Sequence, residues 1–439
     1  MRSKRGRTGR RRKKKMVTDS TQSAVNKSHD SEYVQLKRWL KVRGFQNHHL
    51  RTAEFTDTGR GLMTTKFLQQ GELIISLPEK CLITTDTVLQ SYLGKYITEW
   101  SPPISPLLAL CTFLITEKRA GDNSQWKPYV AVLPRTYSCP VYWESVVVHL
   151  LPEPAKQKAL EQVAELHELY LSSLPFFYSL QSLFHDSTEN IFTYDAVRWA
   201  WCTVNTRTVY MKHKQRFGLS TEPNNYALAP YLDLLNHSPA VQVEAAFNEK
   251  SRCYEIRTMD GCRKYEQVFI CYGPHDNQRL LSEYGFVAAN NPHQSVYVTK
   301  DVILQCVSCK EKQFVKKWSL LRENGFLENL TFGLDGPSWK LLAALKLLCL
   351  GPEEFTCWKK ILLGTSVSDS NDRNCMELVR KVCTHLLEET SQSLMNISLL
   401  KMKKTSENHL ALVEALRLEE LKILQTSMDI LKNGQYITS

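Results

Sequence analysis

Two short motifs in this sequence carry the side chains best suited to chemistry. The first is Asp233-Leu234-Leu235-Asn236-His237-Ser238 and the second is Cys271-Tyr272-Gly273. Alternating apolar residues between them predict a strand hairpin, so the motifs lie about one hairpin apart. An imidazole beside an amide, with a phenol nearby, could hold a polar ligand. Taken alone, however, His237 would more often stabilise a turn, and Asp233 could simply cap one.

One further motif and two single residues each allow two interpretations. Gly59-Arg60-Gly61 could let the backbone approach a ligand closely, but an ordinary hairpin turn explains the two glycines equally well. Arg207, in Thr-Arg-Thr at the end of a helical segment, could contact a ligand or form a surface ion pair. Tyr284 could line a site or belong to the core. The aromatic residue two positions later, Phe286, is interpreted as a core residue.

Composition limits the class of protein. The chain has 439 residues, of which 43% are hydrophobic and 23% are charged, which is typical of a globular protein of two or three domains. No apolar run approaches the ~18 residues that span a bilayer, and the N-terminus lacks the apolar segment of a signal peptide. Thirteen cysteines without framework spacing suit a reducing compartment. We therefore expect a protein of the nucleus and cytosol, with no membrane contact.

Most of the net charge of +11 lies in one segment. Residues 1–15 contain ten lysines and arginines and no acidic residue, so the rest of the chain is nearly neutral. Residues 1–30 have almost nothing to bury and are predicted to be a disordered basic arm. Such an arm could direct nuclear import or contact nucleic acid; alternatively, it merely aids solubility.

The remaining chain divides into β-rich and helical regions. Apolar spacing predicts a helix over 31–42, and glycine-introduced apolar runs predict strands near 59–63 and 71–78. Helical spacing between proline-rich breaks fills residues 85–200, strands return over 241–270, and helices continue from 313. These patterns predict a first domain over 31–290 with a helical insert at about 85–200. A helical domain is predicted over 291–439.

The order of these motifs resembles that of the SET-domain protein methyltransferases. More narrowly, it is similar to the branch typified by Rubisco large-subunit lysine methyltransferase, from about Gln35 to the C-terminus. The ordered pair of Asn-His-Ser and Tyr-Gly is the specific signal, whereas Gly-Arg-Gly alone is not. The resemblance implies an α+β fold. It consists of a β-rich SET domain split by a helical insert, followed by an all-α substrate-binding domain.

The resemblance also implies an activity: transfer of a methyl group from S-adenosylmethionine to a neutral lysine amine, without a metal. That reaction needs in-line delivery of the amine, desolvation that lowers its pKa, and aromatic faces around a cationic sulfonium. Two tyrosines, Tyr272 and Tyr284, are implied as the catalytic pair lining the methyl-transfer channel. The implied cofactor-binding residues are Gly59, Arg60, Gly61, Arg207, Asp233, Asn236, His237 and Tyr272.

Three functions remain open at this stage. The first is a monomeric protein-lysine methyltransferase acting on histone H3 or H4 tails or on other proteins. The second keeps the fold but methylates histidine, as one member of the branch does. In that member an amide and a tryptophan stand where this chain has Val209 and Leu232, which offer an imidazole no polar partner. The third is a catalytically silent protein-binding module.

Overall fold

The computed structural model of the protein describes residues 24–307, 313–402 and 407–433. It combines helices and short strands, in agreement with the predicted α+β class. The strands are β1 (Ala24–Asn26), β2 (Leu50–Phe55), β3 (Gly59–Thr64), β4 (Leu73–Pro78), β5 (Thr208–Tyr210), β6 (Tyr226–Leu228), β7 (Asn236–His237), β8 (Val243–Asn248), β9 (Cys253–Thr258), β10 (Phe269–Ile270), β11 (Val296–Tyr297), β12 (Thr331–Gly333) and β13 (Gly336–Pro337).

The helices of the described residues fall into three groups. The first is α1 (Ser31–Val42). The insert contains α2 (Thr85–Leu89), α3 (Gly94–Glu99), α4 (Pro106–Ala120), α5 (Lys127–Val130), α6 (Ser145–Val148), α7 (Glu153–Ser179), α8 (Thr188–Ile191) and α9 (Tyr194–Arg207). Beyond it lie α10 (Asn277–Tyr284), α11 (Lys300–Cys306), α12 (Phe314–Glu323), α13 (Trp339–Leu348), α14 (Trp358–Leu362), α15 (Asp369–Met402) and α16 (Glu407–Asn433). None of these helices is long and apolar enough to cross a membrane.

Local sequence explains where the insert helices begin. Ser105 and Thr193 accept hydrogen bonds from main-chain amides three residues ahead, which caps the first turns of α4 and α9. Helices α2 to α9 cover residues 85–207, so the helical insert predicted for about 85–200 is present. Because α9 ends at Arg207, the insert places this arginine where the chain turns back into the strands.

Strands before and after the insert form small antiparallel sheets. Strands β2 and β3 form a hairpin, with β1 added to the free edge of β2. Strand β9 lies between β4 and β8, and the predicted hairpin is β8–β9. The disordered arm was predicted to reach residue 30. That prediction is wrong for its last part, because residues 24–26 pair with β2 and α1 begins at Ser31. Residues 1–23 lie outside the described residues.

The two motifs are joined by a parallel strand pair. Strand β7 pairs with β10, with Asn236 opposite Phe269 and His237 opposite Ile270. The sequence predicted a turn at Asn236-His237. In the structure the turn comes earlier, as a short 3-10 segment at Leu232–Leu234, and Asn236-His237 is extended.

Three clusters of buried apolar side chains hold the molecule together. The first packs the insert against the strands of the first domain, and the second fills the C-terminal region. The third lies between them and joins α6, α7 and α10 to α15 and α16, with Trp143, Leu281, Ile397 and Leu410 among its members. The C-terminal region is helical as predicted, apart from the small sheet β11–β12–β13.

The buried side chain of Arg417 on α16 connects the insert to the C-terminal helices. Its Nε donates to the main-chain oxygen of Leu150 at 3.1 Å, and its two terminal nitrogens donate to Glu420 at 3.3 Å and Glu389 at 3.4 Å. Glu420 also accepts a 3.1 Å bond from Gln278 on α10. The guanidinium of Arg417 therefore joins α16 to the insert and to α15, and through Glu420 it is linked to α10.

At pH 8, where Glu420 is ionised, replacing Arg417 by alanine is expected to lower the free energy of unfolding by about 3–5 kcal/mol, because the buried Glu420 carboxylate loses its partner. Lys422→Ala on the same helix is the matched control. It removes a pair with Glu419 in which the lysine side chain is 58% exposed, and such pairs contribute about 0–1 kcal/mol. Urea unfolding of the two variants measures the difference. Equal losses of stability would contradict the role given to Arg417.

Stability is also expected to depend on pH through Glu420. Burial raises the pKa of this carboxyl to about 7, against 4.5 for an ordinary glutamate. Between these values the folded protein keeps a proton that the unfolded chain has lost, so Glu420's contribution to stability falls as pH rises. Glu420→Gln is expected to flatten this dependence. Urea midpoints at about pH 5 and pH 8 test it, and parallel curves for wild type and variant would refute it.

Candidate active site

Six of the predicted site residues line one cavity. They are Arg207, Asp233, Asn236, His237, Tyr272 and Tyr284, and the cavity has a volume of about 720 Å³. Small-molecule sites in proteins typically have volumes of about 300–1,000 Å³. The walls come from the end of α9, from β7 and the turn before it, from the segment after β10, and from the end of α10. Residues more than 70 positions apart in sequence are thus brought together.

The predicted Gly59-Arg60-Gly61 loop does not line the cavity, but it contacts a residue that does. The side-chain amide of Asn236 donates to the main-chain oxygen of Arg60 at 3.0 Å, which ties the β2–β3 hairpin to β7. A Cβ atom at Gly61 would lie 3.0 Å from that amide nitrogen, so a larger residue would crowd this contact. The guanidinium of Arg60 donates to the main-chain oxygen of Val132 at 2.7 Å. The cavity lining is supplied instead by the preceding turn residues 57 and 58.

His237 positions Tyr272. Its Nδ1 accepts a 3.0 Å hydrogen bond from the main-chain amide of Tyr272, so the neutral ring carries its proton on Nε2. Burial lowers the pKa of His237 to about 4, helped by the charges of His275 and His293, so the ring is neutral at physiological pH. The buried Nε2 has no partner among the described residues. This N–H group is therefore available to donate a hydrogen bond to a ligand.

The hydroxyl group of Tyr272 is fixed and neutral. It donates a 2.8 Å hydrogen bond to the main-chain oxygen of Leu235, which leaves the lone pairs of the phenol oxygen free to accept. Burial raises the pKa of Tyr272, and the positive charge of Arg207 opposes that shift only in part. The group therefore acts as an oriented oxygen dipole, and it does not ionise near neutral pH.

Aromatic rings form one wall of the cavity. The ring centroids of Tyr272 and Tyr284 are 4.9 Å apart, and Phe286 lies 6.3 Å from each of them. Gly285, directly after the end of α10, is in the left-handed conformation (φ 79°), which turns the chain between Tyr284 and Phe286. The interpretation of Phe286 as an ordinary core residue is wrong, because it is half-buried and lines the cavity. Such a wall favours a cationic group.

Asp233 does more than cap a turn. Its Oδ2 accepts a 3.0 Å bond from the hydroxyl of Tyr129, and its main-chain oxygen accepts a 2.9 Å bond from Arg207. Its Oδ1 is buried and has no partner among the described residues. Burial raises the pKa of this carboxyl, while the Arg207 charge, the Tyr129 hydrogen bond and Arg60 oppose the rise. Asp233 thus supplies an acceptor to the cavity beside the donor of His237.

The turn that carries Asp233 is strained. Tyr231 has a φ of 73°, a conformation that bulky residues rarely adopt, and its side chain is fully buried. Its hydroxyl donates to the main-chain oxygen of Leu50 at 3.0 Å and accepts from Asn47 at 2.8 Å. These contacts with the start of β2 hold the turn in place. Backbone strain of this kind is common at binding sites.

Sequence reasoning missed several residues of this site. Tyr129, 104 positions before Asp233, reads as one more apolar residue of the insert. Tyr137 lines the cavity, and its hydroxyl lies 2.7 Å from that of Thr203 on α9. No motif marks either tyrosine, although a buried phenol in an apolar segment usually has a polar partner. Within the described ranges, no three His, Cys, Asp or Glu side chains form a group that could hold a metal ion.

Comparison with known proteins places this geometry in a family. Residues 59–273 match the SET domain and residues 309–424 match the Rubisco LSMT substrate-binding domain. The chain is 55% identical to SET domain-containing protein 4 of Homo sapiens, over 99% of both chains. It is 28% identical to the Actin-histidine N-methyltransferase of Homo sapiens, over 76% of this chain and 55% of that protein.

The fold agrees with a solved structure as well. A crystal structure of the SET domain of LSMT bound to lysine and AdoHcy superposes with a TM-score of 0.63, covering 93% of each chain at 20% identity. SET-domain methyltransferases use S-adenosylmethionine, so the cofactor implied by the resemblance is the cofactor of the family. The chain belongs to the SET-domain methyltransferase family, in the branch that carries a Rubisco LSMT substrate-binding domain.

Proposed function

We propose that this chain is an S-adenosylmethionine-dependent protein-lysine N-methyltransferase. The observation that carries the proposal is the neutral hydroxyl of Tyr272, held by the Leu235 carbonyl in a cavity walled by Tyr284 and Phe286. An amine nucleophile needs an oriented polar acceptor and exclusion of water, and it needs no covalent help from the protein. This cavity offers both.

The residues present fit the cofactor of the family. That molecule carries an ammonium and a carboxylate, and it supplies, when bound, a methyl group on a cationic sulfonium. Among the residues that the structure describes, two buried polar atoms of the cavity have no partner: the donor His237 Nε2 and the acceptor Asp233 Oδ1. Main-chain groups of residues 57 and 58 lie on the hairpin that Asn236 holds in place. The aromatic wall suits the sulfonium charge.

The protein can also prepare the acceptor amine. A lysine must lose its proton before it can attack, and Tyr272 cannot serve as a phenolate base because burial raises its pKa. Desolvation lowers the pKa of an amine, and a nearby positive charge lowers it further. Arg207 provides such a charge beside Tyr272 and is held there by the Asp233 carbonyl. The proton that the amine loses goes to solvent.

Two positions favour lysine over histidine as the acceptor. Val209, on β5, packs against the apolar core, and Leu232 is 1% exposed. Neither side chain can form a hydrogen bond with an imidazole ring. The second candidate, histidine methylation, is favoured by one finding, the 28% identity to the Actin-histidine N-methyltransferase of Homo sapiens.

We propose protein substrates, because the chain contains a substrate-binding domain of the LSMT type. The tails of histones H3 and H4, or other lysine-rich segments of nuclear and cytosolic proteins, are the substrates we expect. The basic segment 1–15 supports this location, since dense lysine and arginine runs direct nuclear import.

Replacing Gly61 by alanine is expected to weaken cofactor binding by roughly 10- to 100-fold, which corresponds to overpacking of about 1–3 kcal/mol. The added Cβ would lie 2.7 Å from Nε2 of Gln267 and 3.0 Å from Nδ2 of Asn236, and would push β3 away from β7. The control is Gly333→Ala, whose Cβ would have its nearest contact at 3.9 Å. Calorimetry with S-adenosylhomocysteine measures both. Unchanged affinity in Gly61→Ala would contradict the role assigned to this contact.

Replacing Tyr272 by phenylalanine is expected to slow methyl transfer by about a hundredfold, the order seen when one preorganised polar group is removed from an active site. The ring and its packing remain, so cofactor affinity should change little. Tyr265→Phe, at a tyrosine that is 61% exposed, is the matched control and should keep full activity. The readout is labelled methyl incorporation into histones and lysate proteins.

Equal rates for Tyr272→Phe and wild type would remove the central support for this mechanism. No incorporation by the wild type, in the presence of normal binding of S-adenosylhomocysteine, would favour a silent binding module.

A further inference from the structure

A second large cavity lies beside α2 and α4 of the insert. Its volume is about 810 Å³, and the residues that line it are all different from those that line the candidate active site. Three aromatic side chains, Tyr92, Phe113 and Trp126, belong to its wall, together with the carboxylate of Glu117. Aromatic faces and an acidic group are the two features that attract an organic cation.

Glu117 is a buried carboxylate whose partners are neutral. Helix α4 carries it four residues after Phe113, so the two side chains lie on one face of that helix. The residue is only 5% exposed. The hydroxyl of Tyr92 donates to Oε1 at 3.1 Å, and the hydroxyl of Ser124 donates to Oε2. Both oxygens therefore act as acceptors, which suits an ionised group, and a buried anion is stabilised when a cation can reach it.

Hydrogen bonds and ring contacts fix the inner wall of this cavity. The main-chain amide of Trp126 donates to the Ser124 hydroxyl oxygen at 3.0 Å, so Trp126, Ser124 and Glu117 form a connected chain. The indole of Trp126 packs edge-on against Phe113, with ring centroids 6.2 Å apart. Tyr92 is the open member of the group, since 48% of this residue is exposed. The wall is therefore preorganised for a ligand that enters past Tyr92.

The other charged groups of the lining leave Glu117 as its carboxylate without a cation. Glu79 and Asp86 each accept two hydrogen bonds from an arginine. Lys80 places its ammonium nitrogen beside Gly44, where a Cβ atom would lie 3.6 Å from it, and Gly44 does not belong to the lining. Among the described residues, Glu117 forms no ion pair, although it is the most buried of the three carboxylates.

A methylated ammonium group suits this combination better than an ammonium that carries only hydrogen. Each methyl group replaces an N–H that would need a partner when buried, and it adds apolar surface for the rings. The group keeps its positive charge, which attracts the aromatic faces and the carboxylate. A dimethylated amine also retains one N–H to donate to an oxygen of Glu117.

From these contacts we propose that the cavity is a second binding site, which takes the methylated ammonium group of a modified lysine side chain in a protein. The inference goes beyond the proposed methyl transfer and does not depend on it, because none of the residues that carry it lines the candidate active site. Binding at this site changes no covalent bond.

The test measures binding of two fluorescein-labelled hexapeptides to the full-length protein saturated with S-adenosylhomocysteine. The peptides differ only at one lysine, which is unmodified in the first and Nε,Nε-dimethylated in the second. We expect the dimethylated peptide to bind about tenfold more tightly, as a partly desolvated cation–aromatic contact would give. Fluorescence anisotropy measures both dissociation constants.

Two variants locate the site. Glu117→Gln removes the charge and Tyr92→Leu removes the open ring, and each is expected to abolish the preference for the dimethylated peptide. Unchanged affinity for S-adenosylhomocysteine shows that a variant is folded, and Tyr92→Leu decides the question if Glu117→Gln fails this check. Tyr178→Leu is the matched control, because Tyr178 is 47% exposed and donates to Glu189 outside the cavity. It should keep the preference.

Equal binding of the two peptides by the wild type would overturn this inference. A preference that survives in the folded variants would also overturn it, and its loss in Tyr272→Phe would then place the methylated lysine in the candidate active site. Failure of methyl transfer in the labelling assay, with the peptide preference intact, would count against the proposed function and leave this second site standing.

Discussion

The structure of the site depends on one short parallel strand pair. Pairing of β7 with β10 sets His237 beside Ile270, and from there the ring of His237 reaches the main-chain amide of Tyr272 at 3.0 Å. Within the same two residues, Asn236 holds the β2–β3 hairpin through the Arg60 carbonyl. A two-residue pair is weak alone, so its geometry must be supported by side-chain hydrogen bonds and by the core beneath it. Three distant segments therefore meet at one point.

The helical insert supplies further side chains of the site. Its last helix ends at Arg207, and its α5 contributes Tyr129, so the two side chains that donate hydrogen bonds to Asp233 both come from the insert. The segment between α5 and α6 contributes Tyr137 to the cavity wall. A further layer of packing, around Trp143 and Leu410, joins the insert to the C-terminal helices. The insert therefore packs as part of the SET domain, and the C-terminal helices pack against it.

Much of this architecture could be predicted from sequence patterns. The apolar spacing of Tyr33, Leu36 and Leu40 predicted α1 at its observed bounds, and the alternation after residue 241 predicted the β8–β9 hairpin. Patterns of that kind report burial of one face. They failed where structure is made by long-range contacts. The extended pair at β7 is too short to show a period of two, and β1 forms only because β2 offers a free edge.

The same limit applied to the site. Motif residues were found because their types and order are unusual, whereas Tyr129 and Phe286 look like any buried aromatic residue. Their roles follow from what stands opposite them, a carboxylate in one case and two tyrosine rings in the other. The electrostatic environment also determines the protonation states of the site residues. Burial raises the pKa of Tyr272 and lowers that of His237, so both groups stay neutral in a cavity that also holds a charged arginine.

The most direct measurement of the central claim is the identity of the methylated amino acid. Purified full-length protein is incubated with labelled S-adenosylmethionine and a cell lysate, and the labelled proteins are hydrolysed completely and separated. The account given above predicts that the label elutes as ε-N-methylated lysine. Label found in methyl-histidine instead would contradict it, because the apolar side chains of Val209 and Leu232 give an imidazole ring no polar partner.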